Sequence, residues 1–135
     1  MIYLFFTLLL ARWEVYFTPN PNAEAAFFTE QKSLVEWAEG REHDFGDMRQ
    51  NAPQTYVFRF KNLGEVPILL ETVRTSCGCT AARWTETAIA AGQTGEVSIE
   101  YDAYQTGDFN KKIRVFFDRQ RKPEVLRIRG NVRGF

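Results

Sequence analysis

Cys77 and Cys79 are the only cysteines in the 135-residue chain, and a single glycine separates them in Thr75-Ser76-Cys77-Gly78-Cys79-Thr80. Two thiols at this spacing can close a small disulfide ring, chelate a soft metal, or switch between redox states. Cα atoms two residues apart in a turned or extended chain lie at or near disulfide range. Gly78 would let the backbone take the turn that such a ring needs. A loop this short contributes only about 1.5 kcal/mol by unfolded-state entropy, so stability is a weak reason for the bond. Two thiolates can hold Cu(I) nearly linearly, but zinc wants four donors. The remaining candidates for a metal are only His43, Met1 and Met48. We expect the disulfide, with a redox or Cu(I)-handling pair as the alternative and no cofactor otherwise.

Other residue types offer less chemistry. His43 is the sole histidine; a Cys/His nucleophile pair would need it beside Cys77 or Cys79, and a structural role is expected instead. Asp44 and Asp47 flank Gly46 but lack the ligand-dense loop that calcium requires, so they read as turn-capping carboxylates. Asn62 and Asn110 read as turn formers. The chain has no glycine-rich phosphate loop, no metalloprotease helix and no nucleophile elbow. No catalytic residues are expected.

These residues must be positioned by strands. Tyr56, Phe58 and Phe60 alternate with Val57, Arg59 and Lys61, and Val97, Ile99 and Tyr101 alternate with Ser98, Glu100 and Asp102. Ile113, Val115 and Phe117 alternate with Lys112, Arg114 and Phe116. Leu126, Ile128, Gly130 and Val132 alternate with Arg127, Arg129, Asn131 and Arg133. Period-two alternation places one face in a core and the other in water. Pro67 to Val73 is more continuously apolar and predicts a more deeply buried strand. Turn-forming residues separate the runs, as at Asn51-Ala52-Pro53, Ala91-Gly92 and Arg121-Lys122-Pro123. The predicted strands are Leu34–Ala38, Glu42–Met48, Gln54–Asn62, Val66–Arg74, Ala81–Thr85, Thr94–Asp102, Phe109–Phe117 and Glu124–Val132. Seven or eight short strands without a helical window predict an all-β, immunoglobulin-like antiparallel sandwich. Phe45, Phe58, Phe60, Trp84, Tyr101, Phe109 and Phe117 are its expected core aromatics.

Several segments together carry a resemblance. His43-Asp44-Phe45-Gly46-Asp47, Phe58-Arg59-Phe60-Lys61-Asn62-Leu63-Gly64 and Ser76-Cys77-Gly78-Cys79-Thr80 follow in order. Ile89-Ala90-Ala91-Gly92, Gly107-Asp108-Phe109-Asn110-Lys111 and Leu126-Arg127-Ile128-Arg129-Gly130-Asn131-Val132 come after them. From about Ser33 onward the chain resembles the bacterial family called domain of unknown function 1573, common in Bacteroidota and similar to Hydin-type immunoglobulin-like modules. The family's Pro-Gly before the strand at Thr94 is replaced by Ala91-Gly92. The resemblance implies an exported sandwich and no established activity.

The first eleven residues, Met1 to Ala11, are almost wholly apolar. They are too few to span a bilayer, which takes about 20, but suit a signal-peptide core. Residues 1–32 therefore read as a leader and linker, with a possible cleavage step at Ala23-Glu24-Ala25, and 33–135 as the domain. Lipid anchoring would need a cysteine ahead of Cys77, and the sequence has none. The expected location is the periplasm or cell envelope, with membrane association only through an uncleaved leader.

Net charge is zero, yet from Asn110 onward nine Lys or Arg stand against only Asp118 and Glu124, a local +7. These are Lys111, Lys112, Arg114, Arg119, Arg121, Lys122, Arg127, Arg129 and Arg133. A solvated strand face with charged edges accounts for them. Zero net charge argues against a nucleic-acid partner. The expectation is a non-enzymatic module with a protein partner, reached for example by strand addition at a sheet edge.

Overall fold

The computed structural model describes residues 32–134. The strands are β1 (Val35–Trp37), β2 (Glu42–Arg49), β3 (Gln54–Asn62), β4 (Leu70–Thr75), β5 (Thr80–Trp84), β6 (Thr94–Tyr101), β7 (Gly107–Phe117) and β8 (Glu124–Arg133). They form two four-stranded sheets, ordered β1-β3-β6-β5 and β2-β8-β7-β4. The alternation that predicted the strands also sets the faces. Phe58, Phe60, Val97 and Ile99 from the first sheet meet Ile113, Val115, Leu126 and Ile128 from the second in one core. Aromatic contacts lock the layers: Phe60 meets Phe117 edge-on at 5.1 Å, and Tyr101 stacks on Phe109 at 3.9 Å. The expected all-β sandwich is the fold observed. The leader expected over residues 1–32 lies outside the described residues apart from Lys32.

Two expectations about the sheets need correction. The apolar run from Pro67 to Val73 is not a deeply buried strand. Its first half is a connection carrying one bridge, Ile68 to Ile89, and Val66 is 46% exposed. The strand begins only at Leu70 and forms the edge of its sheet, with a bulge between Leu70 and Thr72 against β7. Continuous hydrophobicity marked the burial of Ile68 and Leu70, not a central strand. Nor is the sandwich wholly antiparallel, because β2 runs parallel to β8.

The parallel pair follows from how the first strand divides. β1 pairs with β3 in one sheet; the chain turns at Gly40, whose φ is 81°, and β2 joins β8 in the other. β2 supplies Glu42, Asp44 and Asp47 where β8 supplies Arg127, Arg129 and Arg133, with ion-pair distances of 3.9, 3.1 and 2.7 Å. Exposed pairs contribute little stability, about 0–1 kcal/mol each, but they oppose a register slip and neutralise part of the basic C-terminal run. At Gly46 (φ 66°) a bulge sets Phe45 and Gly46 against Gly130 alone, and the Asp44 carboxylate accepts the Gly46 N–H at 2.8 Å. Asp44 caps the bulged turn within β2, whereas Asp47, expected likewise to cap a turn, pairs with Arg133 instead. Asn110 forms no turn either: it lies within β7, opposite Arg129.

Two buried polar side chains tie connections to this frame. Asn62, fully buried, donates its amide to the Val66 and Ile89 carbonyls at 2.9 and 3.0 Å. Its side-chain oxygen accepts the Gly64 N–H at 2.9 Å, so it organises the whole β3–β4 connection and more than a turn. Glu124, 4% exposed, accepts from Ser33 Oγ at 2.6 Å, Gln120 Nε2 at 2.7 Å and Trp37 Nε1 at 3.4 Å. Arg41 completes the cluster at 2.9 Å. Glu124 opens β8 while Trp37 closes β1, so the carboxylate fastens the divided first strand across both sheets.

Candidate functional site

β4 ends at Thr75 in the second sheet and β5 begins at Thr80 in the first. The chain must therefore change sheets within four residues, and Cys77 and Cys79 sit in that corner. The sulfurs are 1.96 Å apart and the Cα atoms 5.4 Å apart, a separation that suits a disulfide. Backbone contacts also hold the corner. Thr75 Oγ1 donates to the Cys77 carbonyl at 3.0 Å, and the Asp102 N–H donates to the Cys79 carbonyl at 3.1 Å. Thr80, the first residue of β5, pairs with Tyr101 of β6.

Both cysteines are half-buried and open onto a shallow cleft of ≈ 260 Å³ shared with Asp102, Tyr104 and Lys111. Tyr104 is 69% exposed, an unusual position for so large a ring. Its backbone N–H is held by the Asp102 carboxylate at 3.0 Å. Between them Ala103 is fully buried with φ 54°, a conformation uncommon outside glycine. Its carbonyl accepts the Asn51 N–H at 2.9 Å, which offsets part of that cost. The expectation for Gly78 needs revision. It is not among the residues with positive φ, and a Cβ built there would meet nothing within 4 Å. Neither backbone conformation nor packing calls for glycine, and Gly78 lines the cleft beside the two cysteines.

The other candidate residues are elsewhere. His43 lies on β2 and the cysteines follow β4, opposite edges of one sheet. Three strand spacings separate these edges, roughly 14 Å. The imidazole stacks on Tyr56 at 3.5 Å and meets Phe45 edge-on at 4.7 Å. Met48 is buried in the core, and Met1 lies outside the described residues. The chain thus brings neither His43 nor Met48 to the cysteines. Among the described residues, no three His, Cys, Asp or Glu side chains are grouped to hold a metal ion. Asp102, Tyr104 and Lys111 went unnoticed in the sequence because strand pairing, not local spacing, brings them to the corner.

Two outcomes can be checked here. Replacing both cysteines by serine should leave the domain folded and cost no more than about 2 kcal/mol, because so short a loop removes little unfolded-state entropy. Denaturant midpoints of the two proteins measure this. Partial burial holds the His43 imidazole below its ordinary 6.5, outweighing Asp44 and Glu39, whose carboxylates pull it upward. The unfolded chain then binds the proton more readily than the folded one, so His43 lowers stability as pH falls below 6.5 toward its depressed value. Denaturant midpoints across that interval should decline with acidification. His43→Phe, which keeps an aromatic ring there, should flatten this part of the slope.

Fold and corner together define an immunoglobulin-like sandwich module with a cysteine pair at a sheet-crossing turn. The chain belongs to the family described as protein of unknown function (DUF1573), whose model matches residues 35–132. No curated protein matches it. A protein of unknown function from Porphyromonas gingivalis W83 is 18% identical with a TM-score of 0.63, covering 73% of this chain. This chain spans about half of that protein, 46% of its length. The ASH/PapD-like domain 7 of human CEP192 superposes with a TM-score of 0.62 at 10% identity, covering 76% of this chain and 87% of that domain. The secreted serine protease VesC from Vibrio cholerae gives 0.60 at 16% identity, covering 78% of this chain and 24% of that one. Identities this low establish a shared fold alone.

Proposed function

We propose that the chain is a non-enzymatic module exported to the cell envelope, which engages a protein partner through the outer face of its second sheet. One observation carries this reading. Arg74 of β4 stands directly opposite Arg114 of β7, and Lys112 lies two residues from Arg114 on the same face. Like charges facing each other across a strand pair are unfavourable. The β2–β8 ladder neutralises Arg127, Arg129 and Arg133, but no described acid makes an ion pair with Lys112 or Arg114. Arg74 lies over the Phe116 ring, 5.2 Å from its centroid. A flat face of cations beside a half-buried aromatic ring complements an acidic protein surface.

The edges are less suited to the strand addition that the fold also allows. β2 is bulged and ion-paired, β1 has three residues, β4 six with its own bulge, and β5 five. Short and bulged edges resist pairing. Export is supported by the leader-like character of Met1 to Ala11.

Site-specific photo-crosslinking in the native cell tests the reading. A photoreactive residue at position 114 should give a discrete protein adduct that Arg74→Glu with Lys112→Glu abolishes. A photoreactive residue at position 57, on the outer face of the first sheet, should not. Equal labelling from both faces, or none from 114, would overturn it.

A further inference from the structure

We propose that the Cys77–Cys79 pair is a thiol–disulfide exchange site for a partner dithiol. Five observations converge on the corner, and none depends on the basic docking face. The ring encloses one intervening residue, so it removes the least unfolded-state freedom of any spaced disulfide. The corner keeps its shape by other means: Thr75 Oγ1 on the Cys77 carbonyl, the Asp102 N–H on the Cys79 carbonyl, and the pairing of β5 with β6. The chain can therefore pass between oxidised and reduced forms without unfolding. The cysteines line an open cleft with Gly78 between them, where neither φ nor packing demands glycine. Lys111 lines the same cleft and opposes the charge of Asp102 there, so the cleft is not purely anionic around the thiolates that carry the reaction. Exposed Tyr104 at its rim gives a partner an aromatic contact.

The step balances with the partner as the only co-reactant. A partner thiolate attacks Sγ of one cysteine, forming a mixed disulfide, and the Cys77–Cys79 bond breaks. The other cysteine leaves as a thiolate and takes up a proton. The partner's second thiol, on losing its proton, attacks the mixed disulfide, closing the partner's own disulfide and freeing the second cysteine. Two electrons pass from the partner to this chain; the reverse sequence oxidises the partner.

The test uses the purified chain, with dithiothreitol and reduced glutathione as probes. Thiols are trapped by alkylation and counted by mass spectrometry while folding is followed by circular dichroism. Both thiols should appear while the domain stays folded, faster than global unfolding permits. Gly78→Val should slow this reduction several-fold without moving the unfolding midpoint, since a bulkier side chain at a residue lining the cleft narrows the approach to the sulfurs. With oxidised glutathione as the probe, the Cys77 thiolate of Cys79→Ser should attack it, keep one glutathione as a mixed disulfide and release the other as the thiol. Reduction only in step with unfolding would mark the bond as structural and overturn the proposal. An unchanged rate in Gly78→Val would likewise overturn attack through the cleft.

Discussion

Phe60→Ala is expected to destabilise the domain by about 3–5 kcal/mol, the range for removing a buried phenylalanine ring. Phe60 is fully buried, with Trp37 at 5.3 Å and Phe117 at 5.1 Å. Its ring tip lies over Gly95, where an added Cβ would come within 2.5 Å of Phe60 Cζ. The glycine makes room for the ring and has no side chain to fill the space after truncation. Arg59→Ala, one residue earlier, should cost under about 1 kcal/mol. Arg59 is half-exposed, and its exposed ion pair with Glu96 at 3.2 Å is of the weak kind. Equal shifts in the denaturant midpoint for the two variants would mean the strand faces the other way.

Glu124→Ala should cost about 2–4 kcal/mol, because a buried carboxylate is taken from the partners it satisfies. Removing the carboxylate strands the Trp37 N–H, takes one of two acceptors from the Ser33 hydroxyl and from the Gln120 amide, and frees Arg41. Arg41 is half-exposed and can turn to water, which keeps the loss below that of a fully buried pair. The effect should be local first. Hydrogen exchange should rise along β1 while β6 and β7 stay protected, since β1 is held by this cluster, by the burial of Val35 and Trp37 and by only three residues of pairing with β3. Uniform loss of protection would mean that the cluster supports the whole sandwich equally.

The sequence made most of the fold legible because alternation is a local signal. Phe58 and Phe60, or Leu126 and Ile128, face one way whatever their partners, and the expected bounds of β3 match those observed. Pairing is not local. Nothing near Glu42 announces a parallel partner, although the match of Glu42, Asp44 and Asp47 to Arg127, Arg129 and Arg133 was there to be found. Pro67 to Val73 misled because burial of Ile68 and Leu70 inflates the apolar count of an edge segment. At the site, Cys77 and Cys79 stood out by rarity and spacing alone. Asp102, Tyr104 and Lys111 meet them only after β5 pairs with β6 and β7 joins the other sheet. Glu124 lies about 90 residues from the Ser33 and Trp37 that it binds, beyond any local pattern.

Intact-mass analysis of the protein recovered from its native cell, alkylated at the moment of lysis, tests the central claim of an exported module most directly. It reads the state of the N-terminus and of the cysteine pair together. The account predicts a chain cut near Ala23-Glu24-Ala25, with an unalkylated population lighter by two hydrogens than the dithiol. A single species that keeps residues 1–32 and carries two alkylated cysteines would contradict it.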